Sequence, residues 1–170
     1  MMAMSMKILR MSLWGIVLMA SSALTQVLIH ELHSGWSFSP DGDQTSWLEA
    51  EVPGCVHTDL MRHNLIPDPH YRINEKFMQW VGERDWIYRT GFTPDEELLA
   101  RERIELVCEG VDTYASVLLN GQQVLKADNM FRTYTFSIPT ANEKNNHLGI
   151  KFFSPTKHAL ALEKKIGRLK

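Results

Sequence analysis

Cysteine is scarce: Cys55 and Cys108 are the only two in 170 residues. That excludes a disulfide-stapled miniature scaffold, and neither has a Cys or His partner at zinc-site spacing. Cys108 falls inside an apolar alternation, where a thiol behaves as a small buried hydrophobe; the sequence leaves open a buried free pair or a single bridge. Charge of one sign is also missing. Lys and Arg number 18 against 20 Asp and Glu, for a formal charge of -2, and no run of like charge is long enough to hold a nucleic acid. The chain has no Gly-rich phosphate loop, no Gly-x-Ser-x-Gly elbow and no His-Glu-x-x-His pair, so no cofactor or metal site is expected. Internal repeats and Gly/Ser or Pro-rich linkers are absent as well. With 44% hydrophobic residues, the chain has enough apolar material for one core.

The one apolar stretch that approaches membrane character lies at the N-terminus, MKILRMSLWGIVLMASSALTQ. Lys7 and Arg10 form a basic start, residues 11–20 an apolar centre, and Ser21, Ser22 and Ala23 a small-residue end. These are the three parts of a secretory signal peptide. Cleavage is expected between Ala23 and Gln26, giving a leader over 1–25, a single domain over 26–170, an exported product and no membrane contact after processing. A buried N-terminal helix is the competing reading, but no polar face recurs at helical spacing.

Beyond the leader, short apolar runs alternate with turn residues, the rhythm of antiparallel β-structure. In residues 103–109, Ile104, Leu106 and Cys108 point one way and Arg103, Glu105, Val107 and Glu109 the other, which predicts a strand with one buried face. Residues 114–119 and 122–125 flank Asn120-Gly121, a pair suited to the positive φ angles of a tight hairpin. Tyr134, Phe136 and Ile138 alternate with polar residues, as do Leu148, Ile150 and Phe152; residues 86–92 and 35–38 are weaker strand candidates. A short helix is expected over 56–64, after Pro53-Gly54. Ser154-Pro155 reads as the cap and first residue of a C-terminal helix, with Leu162, Ile166 and Leu169 on one face. No end to that helix is visible before Lys170, so the native protein is expected to continue. Four to six short antiparallel strands with little helix predict an all-β sandwich or jelly roll.

Catalytic groups do not announce themselves. None of the seven histidines pairs at i, i+4 with a nearby carboxylate, and His57 and Asp59, two residues apart, do not face each other on a helix. Residues 66–89 (IPDPHYRINEKFMQWVGERDWIYR) differ in kind: Tyr71, Trp80, Trp86 and Tyr88 stand beside Glu75, Glu83, Asp85 and Arg89. Aromatic rings beside carboxylates are what a sugar site uses, the rings covering C–H faces and the oxygens taking hydroxyl donors. The same residues also suit a core with capped turns.

Seven blocks in order carry a resemblance over residues 35–159. They are Gly35-Trp36 with Phe38, AEVPGCVHTDL (50–60), LIPDPHYRINE (65–75), QWVGERDWIYRTGF (79–92), CEGVDTYASVLLNG (108–121), NMFRTYTF (129–136) and FFSP (152–155). Together they resemble the N-terminal sugar-binding domain of family 2 glycoside hydrolases. The Asp-Pro-x-Tyr, Asn-Glu, Gln-Trp and Asp-Trp-x-Tyr pieces are similar to the β-mannosidase branch. The resemblance implies a galactose-binding-domain-like jelly roll in an exo-acting enzyme that removes terminal β-linked mannose with retention of configuration. It places both catalytic glutamates on a later (β/α)8 barrel of ~250 residues, so no catalytic residue is carried onto this chain. It implies a supporting, substrate-binding role for Asp85, Trp86, Asn74 and Glu75, near the barrel mouth or a domain interface. The implied partners are β-mannoside oligosaccharides and the barrel. A stand-alone carbohydrate-binding module, or an inactive buttress domain, is the alternative.

Overall fold

The computed structural model describes residues 5–10, 27–41, 43, 45–101, 103–138 and 145–167, the first of these segments by its backbone. Among the described residues, ten strands form two antiparallel sheets, joined by short helices that include α3 (Glu96–Leu99). The larger holds β3 (Ser37–Pro40), β4 (Leu48–Glu49), β5 (Trp86–Phe92), β7 (Ala115–Leu119), β8 (Gln122–Ala127) and β10 (Asn146–Phe152), in the order β4-β3-β5-β10-β7-β8. The smaller holds β1 (Ser5–Arg10), β2 (Leu28–Glu31), β6 (Glu105–Glu109) and β9 (Tyr134–Ser137), in the order β2-β1-β6-β9. The all-β sandwich predicted from the alternation is therefore present.

Period-two patterning builds the core. Trp86, Tyr88 and Thr90 on β5 and Leu148, Ile150 and Phe152 on β10 all point inward, and Val117 and Leu119 continue the row on β7. Leu106 and Cys108 of β6 and Tyr134 of β9 belong to the same buried cluster. The aromatic packing is specific: Phe38 stacks on Tyr88 with centroids 5.6 Å apart, and Phe152 meets the same ring edge-on at 5.6 Å. The hairpin turns where expected, with Asn120 at φ +51° and Gly121 at φ +81°. A Cβ on Gly121 would meet nothing within 4 Å, so its glycine answers a conformational need only.

Two expectations change. Val107, assigned to a solvent face of β6, is buried together with Leu106 and Cys108, because the strand is central to its sheet, with β1 on one side and β9 on the other. The C-terminal helix α4 (Pro155–Ile166) does end: Gly167 adopts φ +82° and donates its N–H to the Glu163 carbonyl at 2.9 Å. Gly after a turn rich in Lys is a stop signal that the eye for apolar period passes over. Lys7 and Arg10, expected to open a leader, lie in β1, where Lys7 pairs with β2 and β6 and Arg10 with β2. The apolar centre at 11–20 and the expected cleavage region fall outside the described residues.

Both cysteines are free and buried. Burial pushes the Cys108 thiol up to about 12, so it stays protonated and packs as a hydrophobe.

Candidate functional site

The four expected site residues lie in the segment that joins the helix α1 (Val56–Arg62) to β5. Its first half is a surface turn organised by Asp68. The Asp68 side chain accepts the His70 N–H at 2.8 Å, and its carbonyl accepts Asn74 Nδ2 at 2.8 Å. Asn74 opens a 3-10 turn (Asn74–Phe77), and the Glu75 carbonyl accepts Gln79 Nε2 at 2.8 Å while the Glu75 side chain stands at the surface. Around it Leu65, Tyr71, Ile73 and Phe77 expose more than half of their area. Apolar side chains gathered on one ordered turn mark a surface built to be covered.

The second half is anchored instead of exposed. After the short helix α2 (Gln79–Gly82), Trp86 enters the core at 1% exposure and donates its indole N–H to the Val81 carbonyl at 3.0 Å. Trp86, expected to support the substrate, is buried here, with its ring packed against Phe38 and Trp80. Asp85 is half-buried and committed to the start of α4. Its Oδ1 accepts the Ser154 N–H at 2.9 Å and lies 3.4 Å from Lys157 Nζ. Ser154 in turn caps the helix by accepting the Lys157 N–H and donates its hydroxyl to the Gly82 carbonyl at 2.6 Å.

Asn74 and Glu75 thus share one exposed turn, whereas Asp85 borders a polar hollow of about 480 Å³ with Asp41, Asp43, Arg84 and Lys157. The fold makes two places of what the sequence grouped as one. The aromatic-acid block divides likewise, with Tyr88 and Trp86 facing inward and Tyr71 outward.

A buried polar centre escaped the sequence reading. Asp59, fully buried on α1, accepts the Tyr88 hydroxyl at 2.8 Å and the Glu51 N–H at 3.0 Å, with Arg62 at 3.5 Å. Arg62 also pairs with Glu51. Burial holds the Asp59 carboxyl above the usual carboxylate range, against the opposing pull of these partners. The Tyr88 hydroxyl is pushed up by burial and by the Asp59 carboxylate, so it remains a donor. This centre ties α1 to the middle of the large sheet. The available signal was Tyr88 at an inward strand position, since a buried phenol needs a partner.

Residues 36–170 match the family described as glycosyl hydrolase 2 galactose-binding domain-like. The β-mannosidase of Bos taurus is 36% identical over 135 residues, covering 79% of this chain and 15% of that protein. The β-mannosidase B of Emericella nidulans is 41% identical over 115 residues, covering 66% and 14%. Among solved structures, a β-D-mannosidase from Dictyoglomus thermophilum superposes with a TM-score of 0.76 at 40% identity, covering 81% of this chain and 17% of that one. A β-D-glucuronidase from the same organism reaches 0.53 at 21% identity, covering 72% and 19%, a likeness of fold. The chain spans about 15% of the length of the curated relatives it matches.

Proposed function

Because the chain belongs to the glycosyl hydrolase 2 galactose-binding domain-like family, we propose that it serves as the non-catalytic N-terminal domain of an exo-acting, retaining β-mannosidase. The observation that carries this reading is the gap between 40% identity to a solved β-D-mannosidase and 21% to a solved β-D-glucuronidase. It agrees with the branch-specific pieces at 68–75 and 79–88. Retention requires two carboxyl groups about 5 Å apart, one a nucleophile and one an acid/base. In this proposal both lie in a catalytic barrel outside these residues.

The domain's own contribution is positioning. The ordered turn that carries Asn74 and Glu75, with Tyr71, Ile73 and Phe77 exposed around it, supplies an apolar surface for the barrel and two polar side chains at its rim for the substrate. Asp85 and Trp86 act one step back, holding that turn and α4 against the sandwich.

Expression of the complete genomic reading frame that contains this chain tests the proposal. The product is expected to hydrolyse 4-nitrophenyl β-mannoside in preference to the β-galactoside and β-glucuronide, and the 170-residue chain alone to be inactive. Preference for another glycoside, or turnover by the chain alone, overturns it. Export belongs to the same reading. N-terminal sequencing of secreted protein is expected to start between Ala23 and Val27, and a product that keeps Met1 and its β1 strand overturns export.

A further inference from the structure

The outward face of the large sheet carries an open trough of about 680 Å³, running over β3, β5, β10 and β7. Its floor contains Gly91 on β5 and Gly149 on β10, each with its backbone on the solvent side of the alternation. Neither glycine has a positive φ. Neither is forced by packing: a Cβ at position 149 would come no nearer than 4.0 Å to the Leu118 Cβ, and one at 91 no nearer than 3.7 Å to the Asn146 carbonyl. Glycine inside a strand lowers stability, and where conformation and packing do not demand it, it marks the close approach of a ligand or another backbone.

Arg89 stands directly opposite Gly149 and two residues before Gly91 on β5. Its guanidinium lies 3.5 Å from the centroid of the Trp47 ring, and Nε donates to Ser37 Oγ at 3.3 Å. Among the described residues no carboxylate comes within salt-bridge distance of it. Glu49 shares its cross-strand row beyond Ser37 but makes no such pair. Lys151, on the neighbouring row, is already neutralised by Asp41 at 2.6 Å. The trough therefore offers a planar cation, fixed by stacking and without a carboxylate partner among the described residues, above a floor of glycine, Ile87 and Leu118.

A guanidinium fork held in this way matches a carboxylate in two-point contact. The small apolar floor suits the C–H face of a pyranose ring. An extended acidic peptide fits less well, because the ladders of these inner strands are already paired, and its own amides would be desolvated against the sheet without partners. We propose that this trough is a binding site for an acidic saccharide, a uronate whose carboxylate is held by Arg89 and whose ring lies over Gly91 and Gly149. That the ligand is an anion follows from the trough; that it is a saccharide rests on the glycosidase reading above.

Calorimetric titration of the 170-residue chain with a galacturonate trisaccharide, mannotriose, sodium sulfate and a hexaglutamate peptide tests the site. The uronate is expected to bind at least tenfold more tightly than any of the other three. Arg89→Gln is expected to weaken it tenfold or more. Gly149→Val, which adds a strand-favouring residue in open space, is expected to abolish binding without lowering the melting temperature. No binding by the unmodified chain, equal affinity for mannotriose or sulfate, preference for the peptide, or indifference to both substitutions overturns the proposal. The mannoside assay on the complete frame separates the two readings. Uronate binding without mannoside turnover leaves the trough and removes the glycosidase, and the reverse result removes the trough alone.

Discussion

Trp86→Ala is expected to destabilise the domain by about 3–5 kcal/mol, the range for removing a large buried aromatic. The indole is 1% exposed, packs against Phe38 at 6.0 Å and Trp80 at 6.3 Å, and ties β5 to α2 through the Val81 carbonyl. Alanine would leave a cavity where sheet and helix meet. Phenylalanine would refill much of the volume but leave the carbonyl without its donor, so Trp86→Phe is expected to cost about 1–3 kcal/mol. Urea unfolding followed by circular dichroism measures both. A Trp86→Ala protein as stable as the parent would show that the ring has no structural role and would return it to the ligand surface.

Asp59→Ala is expected to cost about 3 kcal/mol, because it strips a buried phenol, a backbone N–H and Arg62 of their common acceptor at once. Its pH signature distinguishes it from an ordinary cavity. Burial raises the Asp59 carboxyl in the folded state, so the folded protein holds that proton more tightly than the unfolded chain does. The contribution is then complete below the unfolded value of about 4 and is lost as pH rises through the folded value. Asp59→Asn should flatten that decline in stability above about pH 4. His57, lowered mainly by burial, works the other way. Its neutral form is favoured in the fold, so its contribution is complete above about pH 6.5 and is lost on acidification. Denaturation profiles from pH 4 to 8 for the parent and Asp59→Asn check the sign, and an unchanged slope would remove Asp59 as its source.

Much of the sandwich was legible because its strands obey a period of two and its turns carry diagnostic residues. Leu148, Ile150 and Phe152 needed no context to be read as one buried face, and Asn120-Gly121 named its own hairpin. What escaped depended on neighbours in space. Val107 looked solvent-facing because local alternation does not report that its strand runs between two others. Asp59 did not stand out because its partner Tyr88 is 29 positions away. Asp85 and Trp86 were expected to serve the substrate, and the contacts they make here are attachments to Ser154 and to Val81. A sequence shows that an aspartate and a tryptophan adjoin, but the direction of each side chain is decided by the strand that begins there. The exposed turn at Asn74 and Glu75 was readable as a dense block of Pro, Asp, Tyr and Asn, and only the structure separates it from the buried half.

The strand order of the large sheet also dictates an order of assembly. β10 lies between β5 and β7, so the half-sheet β4-β3-β5 and the hairpin β7-β8 share no backbone ladder until the chain from Asn146 to Phe152 arrives. On a ribosome the two pieces must wait with open inner edges, the geometry most prone to wrong pairing. The last strand is the keystone, and the clamp of Ser154 by Asp85 closes directly behind it. A nascent chain stalled short of residue 146 would thus hold most of its core residues without the strand that joins the two halves of the large sheet.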